Sequence, residues 1–347
     1  QKLHFKGVVA DKHSTGGISG TRTTMILVPI IAACGIQIPK TSSRAITTPS
    51  GTADTMEVLA PVTFTPLEIE KMVKKVGGCV VWGGHLGLAP ADDVIIQVEE
   101  PLAFESFDKI IISVMAKKVA SGATHVVFDI PVGPTVKIKK FSDAEIIAGK
   151  FKFLGKKFGM KMVIDINQIL EPAGRGVGPI LEARDVLRVL EQRKNRPLAL
   201  EKKALRLSGK LLDLCFEDLK DRKVGTGEAL AQEMLTSGKA LSKMREIIKI
   251  QGGNSRIVSE DLKLAKYKKE ILSRKKGRVV GLDNQQLNVI CRILGAPSDQ
   301  AAGLFFEKRL EEKVDNQEIL FIIYSGNKWR LKEAEETLKN LPILKVE

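Results

Sequence analysis

The sequence predicts an α/β fold: a mostly parallel sheet flanked by helices, with a small helical segment and a C-terminal α+β domain. Three observations predict it. Short apolar runs alternate with helically spaced stretches over residues 8–190. The first two strand-like runs end in polar turns bearing glycine, Asp11-Lys12-His13-Ser14-Thr15-Gly16-Gly17 and the stretch 41–52. The composition then changes after residue 273, from helical spacing to short strands and turns. A chain of 347 residues is too long for one compact core. The expected division is 1–99 as the first part of an α/β domain, 100–123 as a helical segment, 124–273 as the second part of the α/β domain, and 274–347 as the α+β domain.

The elements follow in order. Residues 8–10 form a short strand that ends at the first polar turn. Residues 21–34 read as an apolar helix, buried despite Pro29, with Gly35 placed to stop it. Residues 36–38 are strand-like and lead into the second polar loop. A helix over 66–76 ends at Gly77-Gly78, and a strand over 79–82 follows. Helical spacing of Ile111, Ile112, Met115 and Val119 predicts a helix over 108–121, and a strand over 125–130 leads to a Pro/Gly turn at 131–134. A helix over 143–158, a strand over 161–166, a glycine-rich loop over 171–179 and a helix over 180–190 complete the alternation. Residues 198–249 hold two or three more helices. From 276 onward short strands and turns lead to a final helix over 331–338.

Composition narrows the function classes. No apolar run reaches the roughly 20 residues that cross a membrane, so no membrane partner is expected. The chain begins close to its first strand with no leader, which reads as a fragment lacking an N-terminal part, while its scattered cysteines fit a cytoplasmic protein. Cys34, Cys79, Cys215 and Cys291 lie far apart, without metal-ligand spacing, and read as reduced, buried thiols. The four histidines are scattered as well, so no metal site is expected. A net charge of +14 favours anionic partners: nucleic acid, nucleotide or phosphate. Aromatic residues are only 5% and are not interleaved with basic runs, so nucleic-acid binding stands as the alternative from another class.

The two polar loops carry the chemistry. In the first, Gly16 and Gly17 allow a tight turn that bares backbone N–H groups, Lys12 brings a charge, and Ser14 and Thr15 bring hydroxyls. A helix N-terminus follows and favours an anion. The second loop gathers Ser42, Ser43, Arg44, Thr47, Thr48, Ser50 and Thr52. Both fall at carboxyl ends of strands, where open α/β sheets bind ligands. Neither matches a Walker A or a dinucleotide fingerprint, which argues against an ATPase or a dehydrogenase.

Asp11-Lys12-His13-Ser14-Thr15-Gly16-Gly17 and the run from Ser42-Ser43-Arg44 to Thr55-Met56-Glu57 resemble the thymidine/AMP phosphorylase family. Leu88-Ala89-Pro90-Ala91-Asp92, the stretch 113–118, Asp165-Ile166-Asn167-Gln168 and Gly277-Arg278-Val279 extend the resemblance over almost the whole chain. The resemblance implies phosphorolysis: inorganic phosphate, as co-substrate and with no cofactor, attacks the anomeric carbon and the base departs. It implies a helical domain, an α/β domain and a C-terminal domain, with a dimer as the full-length form. Carried over position by position, Lys12, Ser14, Ser42 and Thr52 are implied phosphate ligands, with Gly17 and Ser43 lining the same site. Ser113 and Lys117 are implied base ligands, and four residues apart they share one helix face. His13 lies beside the phosphate and is expected to assist departure of the base. His85 and His125 read as structural.

Within the family, Gln97-Val98-Glu99 stands where thymidine phosphorylases carry an arginine, and Gly20-Thr21-Arg22-Thr23-Thr24, Trp82-Gly83-Gly84 and Ile130-Pro131-Val132-Gly133 resemble the AMP phosphorylase branch. A 5′-phosphate needs added positive charge, which Arg22, Lys40 and Arg44 are placed to bring. Thr47 and Thr48 are expected on the substrate, and Lys137 resembles a further ligand of that branch. Its proton donor, an aspartate, aligns with Glu105. The expected reaction is therefore AMP plus phosphate to adenine plus ribose 1,5-bisphosphate. His13-Ser14-Thr15 instead resembles the nucleoside enzymes, so thymidine or another pyrimidine nucleoside is the alternative. A phosphoribosyltransferase of related architecture would need a Mg²⁺-binding acidic pair, for which Asp92-Asp93 is the one candidate.

Overall fold

The structure, a computed structural model, describes residues 2–46, 48–84, 107–219 and 223–347. Its first half alternates strand and helix as expected. In order these are β1 (Ala10–Ser14), α1 (Thr24–Ala33), β2 (Ile38–Ser42), α2 (Thr52–Glu57), α3 (Pro66–Val76), β3 (Gly78–Trp82), α4 (Phe107–Ala120), β4 (His125–Val132), α5 (Phe141–Lys157), β5 (Lys161–Gln168), β6 (Gly176–Val177) and α6 (Pro179–Leu190). Three helices then run on as α7 (Leu198–Phe216), α8 (Gly227–Thr236) and α9 (Lys239–Ile250).

β1 pairs in parallel with β4, β4 with β5, and β2 with β3. A parallel bridge between Val9 and Gln37, with Ala10 N donating to Gln37 O at 2.8 Å, sets β2 beside β1. The strands thus run in the order β3-β2-β1-β4-β5, and the order reverses at β1. Helices cover both faces. Val126, Phe128 and Ile130 of β4 pack with Ile111, Val114 and Met115 of α4 and with Ala144, Ile147 and Phe151 of α5. The other face packs on α1, α6, α7, α8 and α9. α1 is buried along nearly its whole length, which is why its sequence is apolar on every side and tolerates Pro29.

The chain ends in β7 (Tyr267–Leu272), β8 (Gly277–Leu282), α10 (Asn284–Leu294), β9 (Gly303–Phe306), β10 (Lys313–Val314), β11 (Ile319–Ser325), α11 (Lys328–Thr337) and β12 (Leu344–Val346). Two small sheets, β6-β9-β11-β7 and β10-β8-β12, close over a core of Leu287, Ile290, Leu294, Phe306, Phe321 and Ile323. β7 pairs with β11, which argues for a C-terminal unit starting at Tyr267 rather than at 274.

Several boundaries differ from the sequence expectations for physical reasons. β1 runs on through Lys12, His13 and Ser14, which were read as loop. Their register against Val127, Phe128 and Asp129 keeps them in the ladder, and their polar groups are met by partners at the sheet end. β2 likewise runs to Ser42, four residues past its expected end. α1 starts at Thr24, three residues late, because the loop before it is anchored to other elements. α10 was not expected at all. The four cysteines are buried, and none forms a disulfide among the described residues. Among the described residues no helix is long and apolar enough to cross a membrane.

Candidate active site

The carboxyl ends of β1, β2, β4 and β5 gather buried charge. Asp11, 1% exposed, accepts from Lys118 Nζ of α4 at 2.6 Å and lies 3.5 Å from Lys40 Nζ of β2. Lys40 Nζ also donates to Thr41 O. On β4, Asp129 accepts from Ser14 Oγ at 3.0 Å and from Asn167 Nδ2 at 2.8 Å, and Lys203 Nζ of α7 lies 3.0 Å away. Asn167 accepts in turn from Lys203 Nζ at 3.1 Å. Four buried lysines, Lys12, Lys40, Lys118 and Lys203, thus face two buried carboxylates, Asp11 and Asp129.

This imbalance shows in the protonation equilibria. Burial, reinforced by Lys203, Arg22 and Lys118 and opposed by Asp129, lowers Lys12 to about 8. Burial lowers Lys40 to about 7, against the pull of Asp11. Asp11 and Asp129 resist their own burial because the lysines beside them hold both carboxyls below the usual range. An anion placed here would relieve like-charge repulsion among the lysines. Two buried hydroxyl oxygens, Thr15 Oγ1 and Ser42 Oγ, have no hydrogen-bond partner among the described residues. Buried polar groups are nearly always paired, so two orphans at the ends of neighbouring strands fit a ligand that bonds hydroxyls.

The loops are shaped for close approach. Gly17 has φ +85°, and a Cβ there would meet Lys137 Cγ at 2.8 Å. Lys137 therefore packs against the first loop. A Cβ on Gly51 would fall 2.4 Å from the Arg44 carbonyl carbon and 2.6 Å from Ser43 O, so the second loop folds tightly over the start of α2. Asp54 fixes that fold by accepting from Ala45 N at 2.7 Å and Gly51 N at 2.8 Å. Thr48 bonds within the loop, to Ser50 O at 2.9 Å. Ser43 is exposed at the loop surface.

Two arginines expected on the substrate are engaged by carboxylates. Arg44 donates twice to Glu57, at 2.6 and 2.7 Å, and to Asp54 at 3.1 Å, and its guanidinium lies 4.9 Å from the centre of the Trp82 ring. Its charge is spent shaping the loop. Arg22 pairs with buried Glu182 and donates to Ser50 O, and its remaining reach goes to Thr52 Oγ1 at 3.3 Å. It stands at the second polar loop, paired with one carboxylate.

Ser113 and Lys117 meet across one turn of α4, with Lys117 Nζ 3.4 Å from Ser113 Oγ. Lys117 also helps hold His13 neutral. Burial, then Lys118, Lys40, Lys12 and Lys117, push His13 well below its ordinary value. The shift favours the neutral imidazole, whose ring packs 5.6 Å from that of Phe128. His125 opens β4 at the opposite sheet edge, bonded to Thr124 Oγ1 at 2.9 Å, as a structural residue would be. Glu105, Thr47, His85, Asp92-Asp93 and Gln97-Val98-Glu99 lie outside the described residues.

Sequence reading missed Asp129, Lys203 and Lys118, whose roles depend on long-range packing. It also missed Asn284, whose side chain bonds Gly17 O at 2.7 Å and Ser19 N at 3.1 Å. A periodic Leu287, Ile290, Cys291, Leu294 after the capping Asp283 was the signal for that helix.

A parallel sheet reversing its order at β1, with buried lysines gathered at its carboxyl ends, defines a doubly wound α/β protein. Residues 6–241 match the glycosyl transferase family a/b domain, and residues 279–343 match the pyrimidine nucleoside phosphorylase C-terminal domain. The chain belongs to the thymidine/AMP phosphorylase family of pentosyltransferases. It is 42% identical to the AMP phosphorylase of Methanococcus vannielii over 99% of this chain and 67% of that protein. It is also 42% identical to the protein named "Putative thymidine phosphorylase 1" of Acidovorax sp. strain JS42, over 96% of this chain and 64% of that protein. The chain thus spans about two thirds of the length of these relatives. In fold alone it resembles anthranilate phosphoribosyltransferases. That of Saccharomyces cerevisiae superposes with a TM-score of 0.55 at 15% identity, over 70% of this chain and 74% of that one. That of Thermus thermophilus gives 0.52 at 17%, over 72% and 80%.

Proposed function

We propose that the chain catalyses phosphorolysis of the N-glycosidic bond of AMP, giving adenine and ribose 1,5-bisphosphate. The excess of buried lysine at the carboxyl ends of β1 and β2, beside the orphaned hydroxyls of Thr15 and Ser42, carries the reading. Lys12 and Lys40, with Ser14, Ser42, Thr52 and the backbone at Gly17, hold phosphate and aim one oxygen at C1′ of the ribose. That oxygen bonds to C1′ as the C1′–N9 bond breaks. The bonding pair leaves with adenine, which takes a proton from an acid. By resemblance Glu105 supplies it. The cationic cradle neutralises the nucleophile's charge, and the field of Lys117 and Lys137 favours the departing base. Inorganic phosphate is the co-substrate, and no cofactor is assigned.

A second reading, a pyrimidine nucleoside as substrate, is favoured by one observation. Arg22 and Arg44, the charges expected to hold a 5′-phosphate, are both engaged by carboxylates. A panel of AMP, CMP, UMP, thymidine and uridine with saturating phosphate separates the two. Adenine release from AMP that requires phosphate supports the proposal. Release from thymidine or uridine alone favours the second reading, and no release from any of them overturns both.

A further inference from the structure

Three polar side chains of α10 leave the C-terminal unit and grip both loops of the cradle. Asn284 Nδ2 donates to Gly17 O at 2.7 Å, while its Oδ1 accepts from Ser19 N at 3.1 Å. Asn288 Oδ1 accepts from Ser19 Oγ. Arg292 Nη2 donates to Ile46 O in the second loop. Residues 284, 288 and 292 are four apart and share one face of the helix. The adjoining face, Leu287, Ile290, Cys291 and Leu294, is fully buried in the C-terminal core. Asp283 seals the helix start by accepting from Gln285 N and Gln286 N at 2.8 and 3.0 Å. The grip therefore comes from a rigid element.

The first loop needs such a grip. Residues 15–23 span from β1 to α1 with positive φ at Gly16, Gly17 and Gly20, conformations that an unanchored glycine chain leaves readily. From the α/β side the loop is tied at its start, Thr15 N to Asp129 O at 3.1 Å, and near its end, Gly174 N to Gly20 O at 2.8 Å. The stretch between is fixed by Asn284 and Asn288. An asparagine amide suits the task because it donates to one backbone group and accepts from another at once. Asn284 is 1% exposed, so its bond to Ser19 N is shielded from water and its bond to Gly17 O partly so.

We propose that this face of α10 is a positioning device: the C-terminal unit sets the affinity of the cradle for phosphate by fixing the backbone at Gly17, Ser19 and Ile46. None of the three side chains is assigned to the substrate. The phosphate arm of the claim rests on the proposed phosphorolysis; the loop-fixing arm stands apart from it.

Hydrogen exchange and steady-state kinetics on the same variants test it. In Asn284→Ala, amides of residues 15–21 exchange at least ten-fold faster, and the KM for phosphate rises about ten-fold while kcat moves less than two-fold. Asn284→Asp keeps the acceptor for Ser19 N and loses the donor to Gly17 O, and falls between. Arg292 is exposed, so Arg292→Ala keeps the fold and speeds exchange only near Ile46. Gln285→Ala, an exposed neighbour on the same helix, matches wild type in every readout. The device is overturned if exchange in both loops is unchanged in the Asn284 and Arg292 variants. It is also overturned if the variants lower kcat and melting temperature with KM unmoved. A wild type without phosphate-dependent turnover defeats the functional reading, and the exchange arm then still decides the loop claim.

Discussion

The two edges of the parallel sheet carry charge in opposite ways. At the amino edge, His125 and Lys161 meet Asp218 and Glu217, with Lys161 Nζ at 2.7 Å from Asp218 and 3.2 Å from Glu217. These carboxylates raise Lys161 and are lowered in return at Asp218, the shifts of an exposed network in which each charge has its partner. At the carboxyl edge the lysines are buried, outnumber the carboxylates, and are pushed down to about 8 at Lys12 and about 7 at Lys40. The same residue type thus reports two conditions. A lysine raised by its neighbours is satisfied within the chain. A lysine held down by burial and other cations, as Lys12 is, would gain from an anion beside it, and that contrast supports the proposed phosphate site alongside the loop motifs.

The comparison can be broken most sharply at Lys12. Lys12→Ala is expected to lower turnover by at least ~10²–10³-fold, the usual scale for removing a buried group that stabilises charge in the reacting complex. Phosphate-saturation kinetics measure it, and retention of a tenth of wild-type turnover would sink the assignment. Next in size is the effect of Arg22→Ala on stability. It strands Glu182, 1% exposed, without its counter-ion, and should cost roughly 3 kcal/mol in urea unfolding. On the AMP reading it also harms nucleotides more than nucleosides.

The pH dependence follows in sign from the depressed lysines. Without phosphate, the unfolded chain holds more protons than the folded one between the folded values of about 7–8 and the ordinary lysine value of 10.5. Stability contributed by Lys12 and Lys40 therefore rises with pH through that window. Phosphate affinity runs the other way. Between pH 8 and 9.5 the charge on phosphate is constant while Lys12 loses its proton, so Kd should rise by about ten-fold. A flat profile in calorimetric titrations would remove Lys12 as the titrating ligand. The smallest effect is at the other edge: Lys161→Ala should leave kcat, KM and melting temperature at wild-type values, and a loss of phosphate affinity there would erase the distinction between the edges.

Much of the fold was legible because local patterns fix it. The alternation of apolar runs and helical spacing placed α3 from Pro66 to Val76 and β4 from His125, and the glycine-bearing turns marked the carboxyl ends of β1 and β2. Boundaries slipped where tertiary partners overrode composition. Lys12-His13-Ser14 looks like a turn in sequence and is strand because β4 lies beside it. α10 hid among short strands, although Asp283 and the spacing of its apolar residues marked it. Of the site, the residues within the two loops could be read from sequence, whereas Asp129, Lys203, Lys118 and Asn284 could not, since each reaches the cradle from an element more than a hundred residues away from Lys12 or held there only by packing. For the arginines, charge near a loop suggested a ligand, but sequence could not show the ion pairs that tie Arg44 to Glu57 and Asp54 and Arg22 to Glu182.

The central claim is that the carboxyl edge of the sheet is a phosphate site built on an excess of buried lysine over its carboxylate partners. Calorimetric titration of inorganic phosphate at pH 7.5 tests it most directly, comparing the wild-type protein with Lys12→Ala and Lys161→Ala. The account predicts one saturable site in wild type and in Lys161→Ala, and none in Lys12→Ala. Equal binding in all three proteins, or none in wild type, would contradict it.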